Sequence, residues 1–283
     1  MLASFLLTPW RYNWSVCHNT LRPWHYLTIG LYASFVTAIL FWPTTPLPDW
    51  PGDRVAWNMY ATVHGVCAQI HNTTIAGYQL PLCARNTGIY GSMTLSMLIL
   101  LALGRHRHAL YGSAWFLGAL AFPTLILAVD GFNSLFKDLS WPYLYEPHNA
   151  LRTLTGSFAG IAVAVFFVPT LNRVLRTNPV MQPVISRPRE LVIWWGSAAV
   201  YTFLVVWGPS VVYWPIAMLS WIGIIGILLI SNTFAVAVAA GYDQIRVKHL
   251  AELVKPFLVA TIITAVELGV MSWLRFGFEH FSQ

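Results

Sequence analysis

Charged residues are scarce in this chain. Only 9% of its 283 residues are Asp, Glu, Lys or Arg, whereas 57% are hydrophobic. A soluble domain carries about 25% charged residues. Ten acidic and sixteen basic residues are therefore too few to cover a water-exposed surface of this size. The composition predicts an integral membrane protein and excludes collagen-like, disordered and disulfide-scaffold chains.

Common catalytic and cofactor motifs are also missing from the sequence. It contains no Walker motif, no dinucleotide-binding glycine pattern and no H-E-x-x-H. The Gly-x-Ser pattern at Gly208–Ser210 lacks the form of a nucleophile elbow. No histidine lies in the middle of an apolar run, which argues against histidine-ligated haem. No autonomous catalysis is indicated, and whether the chain is an enzyme stays open.

Long apolar runs, in contrast, are frequent. A helix needs about 20 residues, at about 1.5 Å each, to cross about 30 Å of hydrocarbon. Such runs must be helical, because lipid offers no hydrogen-bond partners to the backbone. The fold class expected is therefore an all-α integral membrane protein with about seven transmembrane helices. The predicted spans are Trp24–Trp42, Asn86–Gly104, Leu110–Asp130, Leu151–Leu171, Leu191–Gly208, Val212–Gly241 and Pro256–Trp273.

The basic residues are unequally divided between the loops on the two sides of these spans. Eleven of the sixteen Lys and Arg residues fall on one side, which the positive-inside rule assigns to the cytoplasm. The N-terminus is then cytoplasmic and the C-terminus extracytoplasmic. Cytoplasmic loops beside anionic lipid explain the net charge of +6, so no nucleic-acid partner is needed.

A basic, proline-containing stretch at 172–190 is predicted to be a cytoplasmic linker. It would separate a four-span unit, 24–171, from a three-span unit, 191–283. Residues 1–23 are expected to form an amphipathic segment on the cytoplasmic face. In the loop before the second span, Val55–Ile70 is predicted to be a helix that lies on or dips into the membrane.

Cysteine and histidine cluster in that same loop, around Cys67, His71 and Cys83, with His64 nearby. Outside the cytoplasm, Cys67 and Cys83 would commonly form a disulfide. Cysteine and histidine are also ligands for zinc or another transition metal, although a four-ligand spacing is not evident. A redox-exchange role is the third alternative.

The stretch YQLPLCARNTGIYG resembles the signature of an uncharacterised prokaryotic membrane-protein family, a domain of unknown function. That signature is Pro, a hydrophobic residue, then Cys-Ala-Arg-Cys-Thr-Gly, with an upstream cysteine in the preceding loop. The resemblance covers about residues 60–170. It departs at Asn86, which replaces the second signature cysteine and weakens the case for zinc. The positions carried over are Cys67, Cys83, Arg85, Thr87, Gly88, Asp130, Gly131, Arg152, Thr155 and Gly156.

Three charged residues are predicted to meet at the outer face. Arg85 and Arg152 open two spans, and Asp130 ends the span between them. Helix N-termini carry partial positive charge, so these two could form a site for phosphate or carboxylate. The hydroxyls of Thr87 and Thr155 and the amide of Asn133 would add polar contacts. Alternatively, Asp130 pairs with the arginines and only holds the bundle together.

Two further features lie within the predicted spans. Glu267 and Asn232 are polar residues inside lipid, and they indicate either a structural hydrogen bond between helices or proton movement. Gly156 and Gly160 form a small-xxx-small motif, which is typical of close helix packing.

Three functions are therefore weighed, in this order of preference, for a multi-pass protein of the prokaryotic cytoplasmic membrane. The first is an accessory or scaffolding subunit of a larger, energy-transducing membrane complex, with other membrane subunits as partners. The second is a transporter or flippase for an anionic or lipid-phosphate substrate. The third is an extracytoplasmic metal or redox enzyme that uses the cysteines and histidines. The sequence specifies neither substrate, partner nor oligomeric state.

Overall fold

A computed structural model describes residue 30 and residues 53–67 and 69–281. In chain order its helices are α1 (Arg54–Val63), α2 (Ala84–Ala102), α3 (Ala114–Asp138), α4 (Asn149–Leu175), α5 (Pro188–Trp207), α6 (Tyr213–Ala239), α7 (Tyr242–Ile245) and α8 (Val254–Phe281), with 3-10 turns at Ser210–Val212 and Leu250–Leu253. The strands are β1 (Asn72–Ile75), β2 (Tyr78–Cys83), β3 (His108–Leu110) and β4 (Val180–Pro183). Strands β1 and β2 form an antiparallel hairpin, whereas β3 and β4 pair in parallel.

Five segments of the described chain are long and apolar enough to cross a membrane. They are Ala114–Asp138, Asn149–Leu175, Pro188–Trp207, Ser210–Ala239 and Leu250–Glu279. Each overlaps a span predicted from the sequence, which confirms the mostly helical fold class. The bounds differ by up to eight residues, because α3 continues past the predicted end at Asp130 to Asp138. The predicted first span, apart from residue 30, and the amphipathic segment 1–23 lie outside the described residues, so the count of seven and the orientation stay predictions.

Helix α2 coincides with the predicted second span, but it is less apolar than these five segments. It has 19 residues, and small or polar ones such as Thr87, Ser92 and Ser96 are buried along it. The reason is its position, because α2 packs against both α4 and α6. A helix surrounded by protein needs small contact residues rather than a continuous lipid-facing surface.

The packing of α2 against α4 is unusually close. A Cβ atom added to Gly156 would lie 2.4 Å from the carbonyl oxygen of Arg85, and one added to Gly160 would lie 2.1 Å from that of Ile89. Only glycine fits at either position. Gly156 faces Arg85 and Gly160, one turn later, faces Ile89, one turn later on the other helix. The helices α2 and α4 therefore run in parallel. This confirms the predicted packing role of the motif and places the two N-termini at one end of the bundle.

Two connections differ from their sequence-based description. The predicted helix Val55–Ile70 is present as α1 but ends at Val63, because the chain then turns into the hairpin β1–β2. The basic stretch 172–190 contributes the last turn of α4 and strand β4, and its Val184 and Ile185 are fully buried. Although this stretch is packed, its role as a boundary between two units stays a prediction.

We expect the substitution Gly156→Ala to lower the free energy of unfolding by about 1–3 kcal/mol, because the backbone carbonyl of Arg85 cannot move away from an added methyl group. The matched control is Gly118→Ala in α3, where an added Cβ meets nothing within 4 Å. That control should leave stability unchanged or raise it by up to about 1 kcal/mol, since alanine favours helix. Thermal unfolding of the detergent-solubilised variants measures both changes in stability. Equal changes for Gly156→Ala and Gly118→Ala would contradict the close packing.

Candidate anion-binding site

The parallel packing of α2 and α4 brings Arg85 and Arg152 to the same end of the bundle, where α3 supplies Asp130. Nη2 of Arg85 donates to Oδ2 of Asp130 at 2.8 Å and to Oγ of Ser134 at 3.0 Å. The ion pair predicted between Asp130 and an arginine is therefore present. Ser134 lies one helical turn after Asp130, so both side chains project from the same face of α3.

Asp130 has its hydrogen-bonding capacity taken up within the protein. Its side chain is 0% exposed, and its Oδ1 accepts a hydrogen bond of 2.8 Å from the hydroxyl of Tyr145. Burial and this hydrogen bond raise the pKa of Tyr145 to about 12, so its hydroxyl stays protonated and donates at neutral pH. Asp130 is thus held by Arg85 on one side and Tyr145 on the other.

Arg152 has a different environment, although it is only 5% exposed. Its acceptors are neutral: Oδ1 of Asn149 at 3.0 Å and Oγ of Ser134 at 3.4 Å. None of the ion pairs between described residues includes Arg152. In direct contact, the cluster therefore has two guanidinium groups and one carboxylate, while the charge of Asp138 acts on Arg152 from a greater distance. A buried cation without a counterion is unfavourable, and a bound anion would offset that cost.

Unsatisfied polar atoms border this cluster. In the described part of the chain, Nε of Arg85 and Oδ1 of Asn72 are the buried side-chain atoms without a hydrogen-bond partner. The amide of Asn149 donates to the carbonyl of Asn72 at 3.0 Å, which places the hairpin beside the arginines. The side chain of Arg85 is 25% exposed, so the cluster can be reached from the surface.

Three residues predicted to contribute polar contacts are engaged elsewhere. The hydroxyls of Thr87 and Thr155 donate to the carbonyls of Leu82 and Leu151 at 3.2 and 3.0 Å. Asn133 instead binds the loop after α3, accepting from the amide of Leu144 at 2.7 Å and donating to the carbonyl of Tyr145 at 2.8 Å. Asn133 therefore positions Tyr145 on Asp130, while the candidate site consists of Arg85, Ser134 and Arg152.

The two cysteines lie next to each other as free thiols. The backbone amide of Cys83 lies 3.4 Å from Sγ of Cys67. Hydrogen bonds from the thiol of Cys83 and from neighbouring amides lower the pKa of Cys67, against the effect of burial. Asn86, at the position of the second signature cysteine, also hydrogen-bonds Cys67. The disulfide between these thiols stays a prediction.

The structure does not bring together the metal ligands considered from the sequence. Within residues 53–67 and 69–281, no group of three or more His, Cys, Asp and Glu is placed to hold a metal ion. Nε2 of His71 pairs instead with Asp138 at 3.1 Å. Nε2 of His64 meets Glu279 at 2.8 Å, a contact that sequence reasoning missed because the partners are 215 residues apart.

The polar pair within the spans is joined as expected. Nδ2 of Asn232 donates to Glu267 at 2.7 Å and lies 3.0 Å from the hydroxyl of Thr264. The contact links α6 to α8 and accounts for a carboxyl group inside a span as an interhelical hydrogen bond. Proton movement through Glu267 stays a prediction.

Composition, helix lengths and a polar cluster inside a helical bundle together define a multi-pass membrane protein. Residues 67–166 match the profile of a family described as "Predicted membrane protein (DUF2085)". An uncharacterized protein of Methanocaldococcus jannaschii is 29% identical over 113 residues, which are 39% of this chain and 67% of that protein. No solved structure matches the chain.

The matched segment contains the whole arginine cluster, from Arg85 through Asp130 and Ser134 to Arg152. The similarity therefore agrees with the uncharacterised membrane-protein family that the sequence resembles. It does not test the cysteine signature itself, which stays a prediction.

Proposed function

We propose that this chain is a transporter or flippase of a prokaryotic cytoplasmic membrane, and that it binds a phosphate- or carboxylate-bearing substrate between Arg85 and Arg152. The observation that carries the proposal is the environment of Arg152. This buried guanidinium has only neutral acceptors among the described residues. One substrate anion would balance the two arginines and one aspartate of the cluster.

The donors available suit a tetrahedral or planar oxyanion. A guanidinium presents several N–H groups in a rigid fork, which can bind two oxygens of phosphate or carboxylate at once. Nε of Arg85 is buried and lacks an acceptor, so it has a donor to offer. The N-termini of α2 and α4, at Ala84 and Asn149, lie at the same end and add partial positive charge.

The ion pair between Arg85 and Asp130 gives this site a way to respond to its ligand. An arriving anion competes with Asp130 for Arg85, and the hydroxyl of Tyr145 continues to hold the carboxylate through its hydrogen bond of 2.8 Å. Binding would therefore shift α2 relative to α3 without leaving Asp130 unsatisfied. A change of helix contacts coupled to binding is what a carrier requires.

We expect inorganic phosphate to bind the purified wild-type protein and the substitution Arg152→Gln to weaken that binding about tenfold to hundredfold, the usual value of hydrogen bonds to a charged group. Isothermal titration calorimetry measures the affinity. Arg173→Gln is the matched control, because Arg173 is exposed on the same helix and should have no effect. Arg152→Lys, which keeps the charge, should retain part of the affinity.

The two sources of phosphate are separated by measuring the thermal stability of the protein in nanodiscs with and without phosphatidic acid, and with and without free phosphate. Stabilisation by the lipid but not by free phosphate would identify a lipid headgroup as the substrate, and the reverse would identify a soluble ion. If neither probe binds the wild-type protein, or if Arg152→Gln binds as well as wild type, the anion site is refuted.

The accessory-subunit function is a second candidate, and one observation favours it. In the loop between α3 and α4, Leu144 is 80% exposed and Trp141 is 58% exposed. Large apolar side chains exposed on a loop are typical of a surface that another protein or lipid covers. The loop is held in place by Asn133, so its exposed side chains are presented on a fixed backbone.

If the accessory function is correct, gentle solubilisation from native membranes should recover a partner in fixed stoichiometry, and native mass spectrometry would identify it. The double substitution Trp141→Ser, Leu144→Ser should release the partner without unfolding the protein, because both side chains are exposed. Recovery of the protein alone would count against this function and leave the anion site as the main proposal.

A further inference from the structure

A second candidate site lies at the opposite end of α4. A pocket of about 620 Å³ opens between α2, α4, α6 and the start of α8. Sites for small molecules usually have volumes of about 300–1,000 Å³. Its wall is almost entirely apolar, with residues such as Met97, Leu101, Leu171, Ile230, Phe234 and Phe257.

One charged side chain in this pocket is held in a fixed position. Arg176 follows directly after α4 and is 7% exposed. Its Nε donates to Oδ1 of Asn172 at 2.7 Å. The amide nitrogen of Asn172 donates in turn to the carbonyls of His106 and His108 at 2.8 and 2.9 Å. These hydrogen bonds orient the guanidinium at the wall of the pocket.

Among the described residues, Arg176 also has no negative partner. The residues that line the pocket include Arg176 and His106 but no Asp or Glu. No ion pair between described residues involves Arg176. Burial and the charge of Arg107 lower the pKa of Arg176, which shows that its charged form is disfavoured by its surroundings. A buried cation at the edge of an apolar pocket is suited to an anionic group attached to an apolar body.

We propose that this pocket binds a single-chain anionic amphiphile, whose carboxylate or phosphate meets Arg176 and whose acyl chain lies between α2, α4, α6 and α8. A neutral lipid would leave the guanidinium without a counterion, and a small hydrophilic anion would leave the apolar wall uncovered. The site goes beyond the proposed function and does not depend on it. Arg152 and Arg176 are 24 positions apart on the chain, which is about 36 Å along a helix at about 1.5 Å per residue.

The test uses the purified full chain in nanodiscs of phosphatidylcholine and measures saturable binding of radiolabelled oleate. Oleyl alcohol, which has the same chain without the charge, is the matched ligand. We expect oleate to bind at least about tenfold more tightly than oleyl alcohol, the usual effect of a charged hydrogen bond. Arg176→Gln should abolish this preference, Arg176→Lys should keep most of it, and Arg173→Gln, at an exposed position, should leave it unchanged.

Lysophosphatidate, which carries a phosphate in place of the carboxylate, distinguishes the two headgroups. If lysophosphatidate binds more tightly than oleate, phosphate is the preferred anion. The substitution Ala251→Phe adds bulk at the pocket and should weaken both oleate and oleyl alcohol, which keeps the proposal testable if Arg176→Gln does not fold. Equal affinity of the wild-type protein for oleate and oleyl alcohol would overturn the proposal. So would a preference that survives Arg176→Gln, or the absence of saturable oleate binding, which would mean that another part of the protein fills the pocket.

Discussion

The close contact between α2 and α4 is the constraint on which the rest of the structure depends. Glycine at 156 and 160 lets the two backbones touch, and these parallel helices begin at the same end of the bundle. Arg85 and Arg152 meet there because each lies in the first turns of its helix. A larger side chain in this contact would separate the helices, and with them the two guanidinium groups.

Charge balance explains why this end of the bundle looks like a binding site. Charged residues inside membrane proteins usually pair with a residue of opposite charge, and Asp130 pairs with Arg85 in this way. Arg152 is the second cation of the cluster, and its direct partners Ser134 and Asn149 are neutral, so only the more distant charges of Asp130 and Asp138 act against its own. The structural ion pair and the proposed ligand site therefore share one cluster.

The sequence predicted the elements of this arrangement better than their contacts. The apolar runs indicated the long helices, and Arg85, Asp130 and Arg152 were recognised because charges are rare in spans. Ser134 and Tyr145 were missed, since a serine and a tyrosine are unremarkable until the loop after α3 folds back on Asp130. Thr87 and Thr155 were assigned to the ligand because a sequence does not show that their hydroxyls bond to nearby carbonyls.

The most direct test of the central claim is an experimental structure of the full chain, determined in nanodiscs that contain phosphatidic acid and in phosphate buffer. We expect density for an oxyanion within about 3 Å of Arg152, the distance of a charge-assisted hydrogen bond, and in contact with Nε of Arg85. A carboxylate of the protein itself in that position would refute the anion site, because the cluster would then be neutral without a ligand.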